Sequence, residues 1–250
     1  MIEKFECRRD DLTIRGHVYR AKEGKLPAVV LCHGFLANDR TLRVYAAALA
    51  ELGYVCYTFD FNGGGVFCHS DGKSRDMTVF TELEDLRCVM NYVKKQPGVD
   101  RDHVSLLGCS QGGLVSAMYA KRQPDAVEKL LLFYPALCIP DDARAGKMMF
   151  AHFDPKKIPD TILYFPMRLG RDYAKSVIKT DVYKEIGGFD GPVMLIHGTA
   201  DKIVNISYSE KAAKLYPNCL YHRVTDGQHG FRGKHDREAV EVLREFMKLD

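Results

Sequence analysis

Short apolar runs without polar alternation, each followed by an amphipathic stretch of helical length, recur along this 250-residue chain. A strand covered on one face alternates polar and apolar residues, whereas a continuous run belongs to a strand covered on both. Ala28-Val29-Val30-Leu31-Cys32 is such a run, and further strands are expected at 54–59, 103–108, 129–134, 192–197 and 218–224. Between them, residues 41–52 set Leu42, Tyr45, Ala46, Leu49 and Leu52 on one helical face, and Gly53 stops the helix. Residues 77–95 do the same with Phe80, Leu83, Leu86, Met90 and Val93, ending at Pro97-Gly98. Helices are also expected over 112–122, 207–215 and 236–248. Only the opening differs: 2–8 and 12–20 alternate polar and apolar residues, as a hairpin at a sheet edge does. Alternation of strand and helix predicts an α/β fold, a mostly parallel central sheet flanked by helices on both faces. A chain of this size fits one such domain, residues 1–250.

One stretch breaks the rhythm. More than fifty residues separate Pro135 from Gly191, where a crossover helix and two short loops would suffice. It carries Pro140, Pro155, Pro159 and Pro166, with aromatics Phe150, Phe153, Tyr164, Phe165 and Tyr173. Residues 136–190 are therefore expected to form an inserted cap or lid between the sixth and seventh strands.

Ser110 lies in Gly108-Cys109-Ser110-Gln111-Gly112, directly after an expected strand and directly before an expected helix. On a sharp strand-to-helix turn the serine backbone is strained and the hydroxyl stands exposed above the sheet. Side chains at Gly108 or Gly112 would crowd that turn. A serine hydroxyl is a weak nucleophile and needs a base, which needs an orienting carboxylate. In a parallel sheet these groups should leave the carboxyl ends of strands. Asp201, in His197-Gly198-Thr199-Ala200-Asp201, and His229, in Asp226-Gly227-Gln228-His229-Gly230, satisfy this. Taken singly, they fit a turn aspartate and a loop histidine; with Ser110 they make a catalytic set in the chain order of an α/β-hydrolase. Asp226 is the rival acid, only three residues from His229, and Asp190 precedes its strand at the wrong end. His33-Gly34-Phe35 follows the strand at 28–32. The backbone N–H groups of Phe35 and Gln111 are the expected oxyanion donors, with His33 tying the loop rather than serving as a second base.

Other classes find little support. A net charge of +3 with scattered basic residues supplies no stripe for nucleic acid. Met1 to Lys4 runs into a strand-like segment, so no apolar leader is expected, and no run approaches the ~20 residues needed to span a bilayer. Eight cysteines without a C-x-x-C pair are expected as free thiols in a reducing cytoplasm. Gly63-Gly64-Gly65 lacks dinucleotide-binding spacing, Asp71-Gly72-Lys73-Ser74 lacks the leading glycine of a phosphate-binding loop, and Cys68-His69 has no metal-site spacing. No metal or organic cofactor is expected.

These residues resemble the α/β-hydrolase serine esterases, bacterial cinnamoyl (feruloyl) esterases and related monoacylglycerol-lipase-like enzymes in particular. The likeness is carried by His33-Gly34-Phe35, Asp60-Phe61-Asn62-Gly63, Ser70-Asp71-Gly72-Lys73 with Met77-Thr78-Val79, Gly108 to Gly113, and His197 to Asp201. It implies an α/β-hydrolase fold and a serine esterase acting on small-molecule hydroxycinnamoyl or other small aromatic-acyl esters, and a homodimer. Short aliphatic acyl or monoglyceride esters are the rival substrates; an aminoacyl peptidase and a non-catalytic ligand-binding module stand further off. It also implies that Asp142 and Tyr173 hold the ring hydroxyl of the aromatic acid. One departure stands out: the family commonly reads Asn-Gly-His-Gly straight into Ser-Asp-Gly. Here residues 62–69 read Asn-Gly-Gly-Gly-Val-Phe-Cys-His, a lengthened loop expected to reshape the pocket mouth.

Overall fold

In a computed structural model, which describes residues 1–248, the expected strands form one eight-stranded sheet. β1 (Ile2–Arg9) and β2 (Leu12–Tyr19) make an antiparallel hairpin, closed by a two-residue turn with Asp10 at φ 52°. β3 (Leu26–Cys32), β4 (Val55–Phe59), β5 (Val99–Cys109) and β6 (Leu130–Phe133) follow. Four short strands, β7 (Lys147–Met148), β8 (Ala151–His152), β9 (Thr161–Leu163) and β10 (Leu169–Gly170), stand apart as two small ribbons. β11 (Val193–Gly198) and β12 (Cys219–Val224) complete the sheet in the order β1-β2-β4-β3-β5-β6-β11-β12. β2 pairs antiparallel with β4, and every pairing from β4 to β12 is parallel.

The continuous apolar runs do what their pattern demands. In β3, Ala28, Val30 and Cys32 join the core on one face while Val29 and Leu31 join the other. α1 (Arg43–Glu51) and α8 (Lys234–Phe246) cover the second face through Tyr45, Leu49 and Leu243. α2 (Val79–Val93) and α3 (Gln111–Arg122) cover the first through Leu86, Val89, Val115 and Met118. α2 starts on a capping box in which the Thr78 and Thr81 side chains each accept from the other's backbone N–H. α7 (Ser207–Ala213) links β11 to β12.

The insertion holds α4 (Ile139–Arg144), the two ribbons, α5 (Arg171–Val177) and α6 (Val182–Ile186). Met148, Leu163, Leu169 and Tyr173 from it are buried in the same core as α2 and α3. The lengthened loop behaves differently from expectation. A Cβ on Gly65 would lie 1.7 Å from the Ala37 carbonyl oxygen, so the loop packs behind the His33–Ala37 segment. None of residues 63–69 lines either cavity at Ser110. Gly65 is taken up by packing on backbone, while Phe67 stays exposed without lining either cavity.

The direction in which successive parallel strands are added reverses at β3. β3 connects through α1 to its neighbour on one side, and β4 then crosses through α2 to β5 on the other side. Loops after β3 and β5 therefore part from each other and leave a crevice at the carboxyl ends of these strands.

Candidate active site

Ser110 sits in that crevice, at the turn from β5 into α3, with φ 53° and ψ −120°. A positive φ is costly for serine and persists only where surroundings impose it. They do so by contact. A Cβ on Gly108 would lie 2.3 Å from the Gly112 carbonyl oxygen, and one on Gly112 would lie 2.4 Å from both the Cys32 and His33 carbonyls. Gly108 is pressed against the first turn of α3 and Gly112 against the end of β3, each too closely for any side chain. Gly112→Ala is accordingly expected to cost about 3 kcal/mol or more, because backbone at a strand end cannot give way as a flexible side chain can. Thermal unfolding should show a Tm lower by about 5 °C or more; an unchanged Tm would contradict this packing.

Three distant segments converge on the serine. His229 Nε2 is 2.8 Å from Ser110 Oγ, and His229 Nδ1 is 2.7 Å from Asp201 Oδ2. The Asp201 side chain is wholly buried. Its Oδ1 accepts from the backbone N–H groups of Ile203 and Val204 at 2.8 and 2.9 Å. Burial acts to raise its pKa, but hydrogen bonds from His197 and His229 hold the carboxyl well below the usual range. Asp226, the rival acid, is exposed, and its backbone N–H bonds Thr199.

The loop after β3 lies against the same point. A Cβ on Gly34 would be 2.9 Å from Ser110 Cβ. The Phe35 amide has no protein acceptor among the described residues, and the Gln111 amide, first in α3, has none within the helix. His33 is buried, with Nδ1 donating to the Gly34 carbonyl at 2.8 Å and Nε2 accepting from the Phe61 N–H at 3.1 Å. That pattern defines a neutral imidazole, and burial lowers its pKa accordingly. His33, Asp60 and Cys68 approach one another as a metal trio would. However, both ring nitrogens of His33 are occupied, and the Asp60 oxygens accept from the Asp39 and His69 amides at 2.8 and 2.6 Å. The trio is a hydrogen-bonded loop tie.

Beneath the insertion, a cavity of about 200 Å³ opens at Ser110. Asp142 from α4 and Tyr173 from α5 both line it, with Met148, Met149 and Leu169 as apolar wall. Asp142 is half-buried, which raises its pKa. The Tyr173 hydroxyl donates to Gln111 Oε1, leaving its oxygen able to accept. Behind Gln111 lies Glu82 of α2, fully buried; burial raises its pKa well above the usual carboxylate range, offset in part by a hydrogen bond with Gln111.

Three contributors escaped the reading of the sequence. His197 Nε2 is 3.1 Å from Asp201 Oδ2 and 3.0 Å from the Val204 carbonyl, so this nitrogen carries a proton facing two acceptors. Its Nδ1 is 2.6 Å from Ser209 Oγ. A histidine closing the apolar run of β11, four residues before the aspartate, is the signal that could have marked it. Tyr134, at φ 38°, sets its ring edge-to-face against His229 at 4.8 Å and against Phe231 at 5.0 Å. Glu82 reads from sequence as an ordinary polar helix position, and nothing local marks it.

A nucleophile, an imidazole and a buried carboxylate in line, next to two free amides, can perform acyl transfer. Comparison with known proteins agrees. The Est1E structure from Butyrivibrio proteoclasticus with ferulic acid bound aligns at a TM-score of 0.90 and 28% identity, covering 97% of each chain. Human monoacylglycerol lipase ABHD6 is 21% identical over 92% of this chain and 77% of its own length. An uncharacterized 31.7 kDa protein of Escherichia coli is 31% identical over 133 residues, 52% of this chain. That match spans 45% of the relative's length, less than half. Residues 25–181, more than half of the chain, match the family model described as serine aminopeptidase, S33. With the fold, that match shows that the chain belongs to this family of α/β-hydrolases.

Proposed function

We propose that the protein is a carboxylic-ester hydrolase acting on esters of small aromatic acids of the hydroxycinnamate type, with residues 136–190 as a cap over the acyl site. His229 takes the Ser110 proton as the hydroxyl oxygen attacks the ester carbonyl. The Phe35 and Gln111 amides donate to the oxyanion, while Asp201 holds the imidazole tautomer and offsets its charge. Collapse expels the alcohol, which leaves with the proton from His229. Water, deprotonated by the same imidazole, then releases the acid and restores Ser110.

The observation that carries this reading is the unbroken line from Ser110 Oγ through His229 to Asp201, opening onto a cavity that also contains Asp142 and Tyr173. About 200 Å³ is below the ~300–1,000 Å³ of common ligand pockets, which favours a compact acyl group. A half-buried carboxyl and a phenol with a free acceptor suit a ring hydroxyl, which an aliphatic chain would leave unmatched. Likeness to Est1E, a ferulic-acid-bound structure, supports the same substrate class.

Turnover of methyl ferulate, 4-nitrophenyl butyrate, tributyrin and an aminoacyl amide tests it. Methyl ferulate should be preferred. Asp142→Ala should lower kcat/KM for methyl ferulate about tenfold relative to methyl cinnamate, which lacks the ring hydroxyl; Tyr173→Phe should act in the same direction. Dominance of tributyrin, with both variants silent, would assign the enzyme to aliphatic or glyceryl esters. Dominance of the aminoacyl amide would make it a peptidase.

A further inference from the structure

Ser110 lies on the wall between two cavities, and His229 lines only one of them. The second cavity, about 440 Å³, is bounded by Tyr45, Phe231, Arg232 and Asp236 as well as His229. It shares just Phe35 and Ser110 with the cavity under the insertion. Ester cleavage by a serine and a histidine is directional: the leaving oxygen must collect its proton from the imidazole, so the alcohol half must lie on the imidazole's side. We infer, on the esterase reading above, that the second cavity binds the alcohol half, and that Arg232 and Asp236 select an alcohol carrying further hydroxyl groups.

The polar groups of this cavity are set for that task. Tyr45 donates to Asp236 Oδ1 at 2.7 Å, which pins the carboxylate. Asp236 Oδ2 has no protein donor among the described residues, and neither the Arg232 guanidinium nor the Asp236 carboxylate forms an ion pair there, although they are four residues apart. One spare acceptor and one spare donor on the same rim match hydroxyl groups, each of which can give a proton to the carboxylate and accept one from the guanidinium. The rings of Tyr45 and Phe231 supply an apolar floor against which the carbon face of such an alcohol can lie. An apolar alcohol would desolvate both charged groups without replacing their water contacts.

The test uses the full chain and one acyl-enzyme. Methyl ferulate acylates Ser110, and glycerol or 1-propanol at equal concentration then competes with water. In each transfer the acceptor hydroxyl gives its proton to His229, and its oxygen bonds to the acyl carbon. The bond from that carbon to Ser110 Oγ breaks, and the proton passes to Ser110. The two acceptors have the same carbon skeleton and differ only in extra hydroxyls. Glyceryl ferulate should form about tenfold faster than propyl ferulate. Arg232→Ala and Asp236→Asn should each reduce that ratio about threefold or more. Both products come from one acyl-enzyme, so the ratio is independent of how much of each variant is folded. A ratio near one in the natural chain, or one unmoved by both substitutions, overturns the inference while leaving the esterase reading intact. If methyl ferulate is inert, the same partition is read on the butyryl-enzyme from 4-nitrophenyl butyrate. Absence of any acyl-enzyme removes the esterase reading, and this inference with it.

Discussion

Replacing Ser110 by alanine is expected to lower ester turnover on the order of 10⁵-fold while the protein stays folded. The loss is large because Ser110 Oγ is the atom that would bond to the acyl carbon, and among the described residues no other hydroxyl or thiol is hydrogen-bonded to His229 Nε2. It is not total, since the Phe35 and Gln111 amides would still polarise a bound carbonyl for attack by water. The companion variant separates chemistry from structure. At φ 53° and ψ −120° a side chain is strained, and glycine is not. Ser110→Gly should therefore be equally inactive yet more stable than Ser110→Ala by about 1 kcal/mol. Initial rates with methyl ferulate or 4-nitrophenyl butyrate, read beside thermal unfolding of both variants, check the pair. Retention of more than about 1% of activity in Ser110→Ala would remove the nucleophile assignment. Equal stability of the two would remove the claim of strain.

Which parts of this molecule were legible in its sequence depends on the range of the interactions involved. β3 and β11 could be read directly, because a strand covered on both faces shows a continuous apolar run, here Ala28 to Cys32 and Val193 to Ile196. Sheet order was not legible, because the hand of each crossover does not fix which strands become neighbours. The strand-to-helix turn was legible at Gly108 and Gly112 because the contact that excludes a side chain is made by backbone, which any sequence would present. Inside the insertion that logic fails. β7 to β10 are two or three residues long, too short to show a period, and their pairing depends on how residues 147–170 lie against the core. His197 was missed for a similar reason: its partners Ser209 and Val204 come from later segments that fold back over β11. The effect of the lengthened loop was misread because extra residues suggest reach, whereas Gly65 has no side chain and sinks onto the Ala37 carbonyl.

Asp201→Asn should be the most informative substitution after those at Ser110, lowering kcat about 10⁴-fold and destabilising the fold at neutral pH. Four donors converge on this one carboxylate: both imidazoles on Oδ2, and the Ile203 and Val204 amides on Oδ1. An asparagine has one oxygen, so its NH₂ must face a donor pair. Backbone amides cannot stop donating, but an imidazole can change tautomer, so the NH₂ turns toward the histidines. His229 Nδ1 then accepts, its Nε2 carries the proton toward Ser110, and the base is lost. His197 cannot adapt in the same way, because its Nε2 also faces the Val204 carbonyl and would set two acceptors against each other without a proton. That conflict is the source of the destabilisation. Its pH dependence has a defined sign. The carboxyl of Asp201 is held below its unfolded value, ~3.9. It therefore contributes stability that is fully present above that value and is lost as pH falls through the lower, folded one. Urea unfolding of the natural chain and Asp201→Asn should differ most at pH 7 and converge toward pH 2, while Asp226→Asn tracks the natural chain throughout in both rate and stability. A gap in stability that stays constant across that range would mean the carboxylate's charge is irrelevant to its place in the fold. A kcat within tenfold of the natural chain's would pass the role of imidazole partner to another acid.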